Sequence, residues 1–196
     1  MNTHIFWDKL TAQAASATLG KKRFFAQSTE SKNFANYLAE ISLEIQSLDK
    51  GMHELQAKTP IGILDPAYMC YQWHDKAAPT IIYHHGNNER PFDLGKMAKN
   101  SFKYIFVGAP HPLYANIIAL RAPYHNGTLK EYQEHISHLS HFAMMLATST
   151  VMMEKLIQRL KTEGYTGPVL LSGVSLGGWA VNLHRTYFNT ATTYIP

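Results

Sequence analysis

The chain has 196 residues, 45% of them hydrophobic and 16% charged, with a formal net charge of +4. That length and composition suit one ordinary globular domain with a sizeable core. The basic residues are scattered outside Lys21-Lys22-Arg23 and nothing aromatic interleaves them, so nucleic acid is not an expected partner; the single cysteine, Cys70, excludes a disulfide framework and fits a reducing cytoplasm.

The first twenty residues carry Asp8 and Lys9 and no apolar core of signal-peptide length. No stretch approaches the roughly eighteen apolar residues of a membrane span. Phe34, Leu38, Ile41, Ile45 and Leu48 step by threes and fours, so residues 1–50 read as a helical extension with one apolar stripe, capped near Ser31 and packed on the domain. From Gly51 the period changes. Gly51–Lys58 and Met69–His74 have strand character, separated by a loop around Pro60-Ile61-Gly62. Thr80-Ile81-Ile82-Tyr83-His84 predicts a buried strand, ending in the turn His85-Gly86-Asn87. Phe92–Lys99 is compatible with helix, and Phe102–Val107 with strand or helix end. Asn116–Arg121 predicts another buried strand, closed by Pro123-Tyr124-His125-Asn126-Gly127.

Thr128 and Glu131 have the spacing of a capping box. Behind them a helical pattern runs from Tyr132 to Leu160. One helix of that length would span about 50 Å at 1.5 Å per residue, so a break is expected near Thr148-Ser149-Thr150. Gly164 is placed to cap its end. Then comes the most informative stretch. Val169–Leu171 reads as a buried strand, Gly173-Val174-Ser175-Leu176-Gly177 as a sharp turn, and Trp179, Leu183 and Tyr187 as one stripe of the next helix. Glycines two places either side of a serine fit a corner where strand and helix backbones approach too closely for a Cβ. Ala191–Ile195 begins a further strand. Apolar strands alternating with helices predict an α/β fold: a three-layer α/β/α arrangement on a mostly parallel sheet. Ligands of such sheets sit beyond the carboxyl ends of the strands, where Ser175, Asn87 and Tyr124 would gather.

The eleven histidines invite a metal reading. His135, His138 and His141 recur at steps of three but lack a third-ligand motif, and a rim-facing helix accounts for them. His84 and His85 are adjacent in a strand, which sends their rings to opposite faces. No metal or cofactor is expected.

The His85-Gly86 turn, the loop around Tyr124 and the Gly173–Gly178 corner, in that order, resemble the α/β-hydrolase family over about residues 51–196. The resemblance implies Ser175 as nucleophile, with the backbone N–H groups of Leu176 and Asn87 as an oxyanion hole. His85, Gly86, Gly173 and Gly177 would support it, with Tyr124 and His125 at a pocket rim. It implies a small acyl ester as substrate, cleaved through an acyl-enzyme. In the family the acid and base follow the serine. Here Leu176–Pro196 holds no Asp or Glu and only His184, well along the departing helix. The expectation is therefore a hydrolase core at 51–196 truncated after the corner helix and the start of the next strand, its acid and base lying further on and this stretch alone inactive. A non-catalytic binding or scaffolding protein on the same fold is the alternative. A patatin-like or acyltransferase use of the pentapeptide lacks the matching upstream glycine-rich loop. The oligomeric state is not legible.

Overall fold

The computed structural model describes residues 25–111 and 113–196. A six-stranded sheet organises them. Its strands are β1 (Gly51–Glu54), β4 (Ala67–Gln72), β5 (Thr80–His84), β6 (Asn116–Arg121), β7 (Val169–Gly173) and β8 (Thr193–Ile195). A separate hairpin pairs β2 (Ala57–Thr59) with β3 (Gly62–Leu64). The sheet order is β1-β4-β6-β5-β7-β8. The β1–β4 and β4–β6 pairs are antiparallel, and the remaining three are parallel.

The predicted central strands form because their sequences suit burial on both faces. All six residues of β6 are buried, and Thr80, Ile82, Tyr83 and His84 of β5 are buried beside it. Arg121 ends β6 and is itself buried. Its guanidinium donates to both carboxylate oxygens of Glu54 on β1, at 2.9 and 2.5 Å, and to the Asp65 carbonyl at 3.1 Å. That fork satisfies a charge which would otherwise be costly to bury.

Among the described residues, three helices cover the principal core. They are α1 (Phe34–Ala39), α3 (Leu139–Thr162) and α4 (Leu176–Tyr187), with the shorter α2 (Leu129–Ile136) leading into α3. Met144, Met145, Met152, Met153 and Leu156 of α3 are fully buried against Ile82, Ile118, Leu120 and Leu171 of the sheet. A smaller cluster on the other face packs Tyr83, Ile117 and Ala119 against Phe102 and Phe106. The result is three layers, α/β/α, on a mostly parallel sheet.

Several local expectations change. Of the helical extension, only Phe34–Ala39 is helix among the described residues, and residues 1–24 lie outside them. Its cap is Asn33, whose Oδ1 accepts the Ala35 N–H at 3.0 Å, rather than Ser31. Beyond Glu40 the chain is extended. Ser42 and Lys58 exchange both backbone hydrogen bonds, and burial then alternates, with Leu43 and Ile45 inside. The stretch 51–58 is two strands, β1 and β2, because the chain leaves the main sheet after Glu54 to build the hairpin. Residues 92–99 contain no helix, and Lys103–Val107 is a short π-helix.

The capping box is present: the Thr128 hydroxyl accepts the Glu131 N–H, and the Glu131 carboxylate accepts the Thr128 N–H. The break in the long helix falls at Ser137-His138, about ten residues before the expected place. There, Gln27 and Ser28 N–H groups bond the Ser137 carbonyl, and the Leu139 N–H bonds the Ser28 carbonyl. The Thr150 hydroxyl bonds the Leu146 carbonyl, so α3 continues unbroken through the hydroxyl-rich stretch. Gly164, at φ +80°, closes the helical pattern, with the Tyr165 N–H on the Leu160 carbonyl. His135 and His141 therefore belong to different helices and share no helical face.

Candidate active site

The corner between β7 and α4 is built as its glycines require. A Cβ on Gly173 would stand 2.5 Å from the Gly177 backbone, and one on Gly177 would stand 2.2 Å from the His84 carbonyl oxygen. Real Cβ atoms do not approach backbone so closely, so both positions need glycine. Between them Ser175 sits at φ 54°, ψ −112°, outside the regions L-residues ordinarily occupy. Backbone hydrogen bonds hold this strain on both sides. The Val174 N–H bonds the His84 carbonyl before the serine, and the Trp179 N–H bonds the Ser175 carbonyl after it. The Ser175 hydroxyl makes no capping bond to its own helix, which leaves it facing outward at an exposed position.

Ser175, Leu176 and Asn87 line one cavity of about 190 Å³, walled by Phe142 and Trp179. Asn87 lies just beyond the end of β5, and Ser175 just beyond the neighbouring β7, so two adjacent parallel strands deliver both residues to the same edge. The start of α4 lies behind the serine. Its free N–H groups and dipole favour negative charge there. Among the described residues, the cavity lining contains no His, Asp or Glu.

The turn after β5 is fixed from several directions. The Gly86 N–H donates to Glu89 at 3.2 Å, and the Ser101 hydroxyl donates to the same carboxylate oxygen at 2.5 Å. His85 is buried: its Nδ1–H donates to the Gly86 carbonyl at 2.6 Å and its Nε2 accepts the Ala122 N–H at 3.0 Å. It thereby clamps the turn after β5 to the end of β6. His84 Nδ1–H donates to the His85 carbonyl, and its Nε2 accepts from the Ser149 hydroxyl of α3. The two rings do not point to opposite faces. They stack at 4.9 Å, because β5 ends at His84 and His85 already belongs to the turn.

His125 completes this buried column, edge-on to His85 at 4.5 Å. Burial pushes His84 and His125 down to about 4 and His85 well below its ordinary range. All three are neutral at pH 7; the bonding of His84 and His85 is that of brackets, while His125 Nδ1–H donates only to the Pro123 carbonyl of its own loop. Tyr124 and His125 line a separate cavity of about 110 Å³, alongside Arg90, Thr128 and Tyr132. Tyr132 of this cavity donates its hydroxyl to the side-chain oxygen of Asn87, which lines the cavity at Ser175. Tyr132 counted in the sequence only as part of an apolar stripe. Its spacing carries no signal of a polar partner 45 residues upstream.

Of the stripe Trp179, Leu183 and Tyr187, the two aromatic residues are exposed and Leu183 is half-buried against the core. The buried face is Leu176, Ala180, Val181 and His184. His184 is fully buried and bonded at both nitrogens. Its Nε2–H donates to Glu154 at 3.1 Å, and the Tyr194 hydroxyl lies 3.2 Å from Nδ1. Nine residues along α4, it is about 13 Å from Ser175 along the axis, and the structure does not bring them together.

Residues 116–196 match the family model described as alpha/beta hydrolase domain containing 18. No curated protein matches the chain. Among solved structures it is similar to a lidless α/β serine hydrolase from Xanthomonas campestris, with 13% identity over 74% of this chain and 60% of that one, at a TM-score of 0.41. It is also similar to a candidate acetyl xylan esterase from Bacteroides fragilis, with 11% identity over 95% and 52% of the two chains, at 0.42. A third is brefeldin A esterase, a bacterial homologue of human hormone sensitive lipase, with 14% identity over 88% and 49%, at 0.33. The chain thus spans between half and three-fifths of the length of these structures.

Proposed function

From a chain with the α/β-hydrolase fold, we propose a serine hydrolase that cleaves carboxylic esters or related acyl groups through Ser175. One observation carries the reading. A strained serine at the strand–helix corner shares a cavity with the two residues, Leu176 and Asn87, whose backbone N–H groups would receive an oxyanion. In the first step the Ser175 oxygen bonds the acyl carbon while its proton passes to a base. The carbonyl electron pair moves onto oxygen, where the two N–H groups and the α4 dipole stabilise it. Collapse expels the alcohol, which takes the proton back. Water then repeats the sequence on the acyl-enzyme and regenerates the serine. We assign the base to an imidazole, and its orienting acid to a carboxylate, from outside the described lining of the cavity, which offers neither.

The experiment is labelling by a fluorophosphonate, followed by peptide mapping, on the product of the full coding sequence. An adduct on Ser175 that disappears in Ser175→Ala is the expected result. Folded protein without the adduct supports the second reading, a binding module on a hydrolase fold. The observation behind that reading is the same cavity, whose described lining holds a serine and no base.

A further inference from the structure

The cavity at Ser175 is not closed. Phe142 and Trp179, its two aromatic walls, also line a second and larger groove of about 420 Å³. This groove runs between α3 and α4, over Leu146, past Phe34 of α1, to Leu183 and Thr186. We propose that it holds the acyl chain of the substrate, so that the hydrolase prefers esters of medium- to long-chain aliphatic acids. The proposal rests on Ser175 being the nucleophile.

Four observations favour an aliphatic chain. Among the described residues, no charged side chain and no histidine lines the groove. The Thr186 hydroxyl is already committed to the Asn182 carbonyl at 2.9 Å, so it has little to offer a polar ligand. Trp179, one helical turn beyond the serine, is 60% exposed, and its ring meets Phe142 edge-on at 6.0 Å. A large apolar ring beside a nucleophile gains most from an apolar ligand laid against it. Finally, from Ser175 to Thr186 the helix advances about 16 Å at 1.5 Å per residue, which is room for an extended chain starting at the corner.

The groove also suits the acyl side rather than the alcohol side. The departing alcohol oxygen must meet a proton donor, and the described lining on the α3–α4 side of Ser175 has no titratable group. The leaving group therefore exits elsewhere, and the retained acyl chain occupies the groove.

The test uses alkyl fluorophosphonates from methyl to decyl on the full-length protein, with calorimetric titration of free decanoate alongside. Labelling of Ser175 should accelerate about fourfold per added methylene until the groove is filled. Ala143→Phe, at the groove wall, should collapse the ratio of decyl to methyl labelling. Thr186→Trp, at an exposed position on the far end, should shorten the preferred chain and guards against a wall variant that fails to fold. Labelling that ignores chain length overturns the groove and leaves the nucleophile standing. A rate that follows the alcohol chain of ester substrates, and not their acyl chain, overturns the assignment of sides. Decanoate bound without any labelling overturns the nucleophile and, with it, the acyl role. Dimerisation that decanoate does not reverse shows a second copy in the groove and overturns the proposal.

Discussion

The two ends of α4 make an instructive contrast. At its start, Ser175 is strained, exposed and without a base in the described lining of its cavity. Nine residues later His184 is fully buried, bonded to a carboxylate and to a tyrosine hydroxyl. A serine, a histidine and a glutamate thus lie on two packed helices, and they do not form a triad. Such a triad exists through geometry and not through composition. The Glu154–His184 pair is instead a bolt. Glu154 also accepts from Gln158 at 2.8 Å and from the Thr190 hydroxyl, so both of its oxygens are used. It ties α3 and α4 to the turn before β8. One end of the helix stores strain at an open edge, and the other supplies part of the packing that holds it.

The most severe way to break this contrast is to crowd the corner. Gly177→Ala places a Cβ 2.2 Å from the His84 carbonyl, which only a backbone shift can relieve. The expected cost is about 3 kcal/mol or more. Gly178→Ala is the control, since its Cβ would meet nothing closer than 3.4 Å. It should change stability by less than about 1 kcal/mol, in either direction. Urea titrations of the two variants check both.

Glu154→Ala should cost roughly 3 kcal/mol, because it strands the fully buried His184 N–H and takes the partner from the half-buried Thr190 hydroxyl. The sharper readout is at the other end of the helix. Per folded molecule, Ser175 should react with a fluorophosphonate at the parent rate. A large fall in that rate would mean that the bolt takes part in the chemistry.

The corner itself was legible because its causes are short in sequence. Gly173 and Gly177 announce a close backbone approach, and Thr128 with Glu131 announces a helix start, each within a few residues. The stretch 41–48 misled because Ile41, Ile45 and Leu48 fit a helical stripe, while Leu43 and Ile45 fit an alternating one. The pairing of Ser42 with Lys58 decided between them. The helix break moved for the same reason, as contacts of Ser28 with residues 137–139 fix it from more than a hundred residues away. Phe142 and Trp179, far apart in the chain, show no relation in sequence, yet together they wall the cavity at Ser175.

A change of pH probes both ends of the helix at once. His84 and His125, beneath the corner, are held down to about 4 by burial, and burial lowers His184 as well. An unfolded histidine titrates near 6.5, so the unfolded chain binds more protons between roughly pH 6.5 and 4. The stabilisation is complete above the unfolded value and is lost as pH falls through this window. His84 and His125 each contribute roughly 3 kcal/mol to that loss. Stability measured by urea titration should decline steadily from about pH 6.5 to about pH 4. His125→Gln should flatten the slope, and an unchanged slope would show that His125 is protonated in the folded protein.

The smallest effect is expected from Tyr132→Phe, and it bears on the open end alone. The Tyr132 hydroxyl donates to the Asn87 side chain, and Asn87 lines the Ser175 cavity. The hydroxyl touches no reacting atom in this arrangement. It fixes the residue whose backbone N–H is assigned to the oxyanion. Losing one hydrogen bond of this kind is worth about 1 kcal/mol. If that bond orients Asn87, the loss should fall on kcat by roughly fivefold, with KM little changed, because the donor is needed only when charge has developed. A role confined to packing would instead lower the unfolding free energy and leave kcat alone. The ratio of those two changes in a single variant tells whether the Asn87 donor that faces the strained end of α4 is held by Tyr132 or by its own turn.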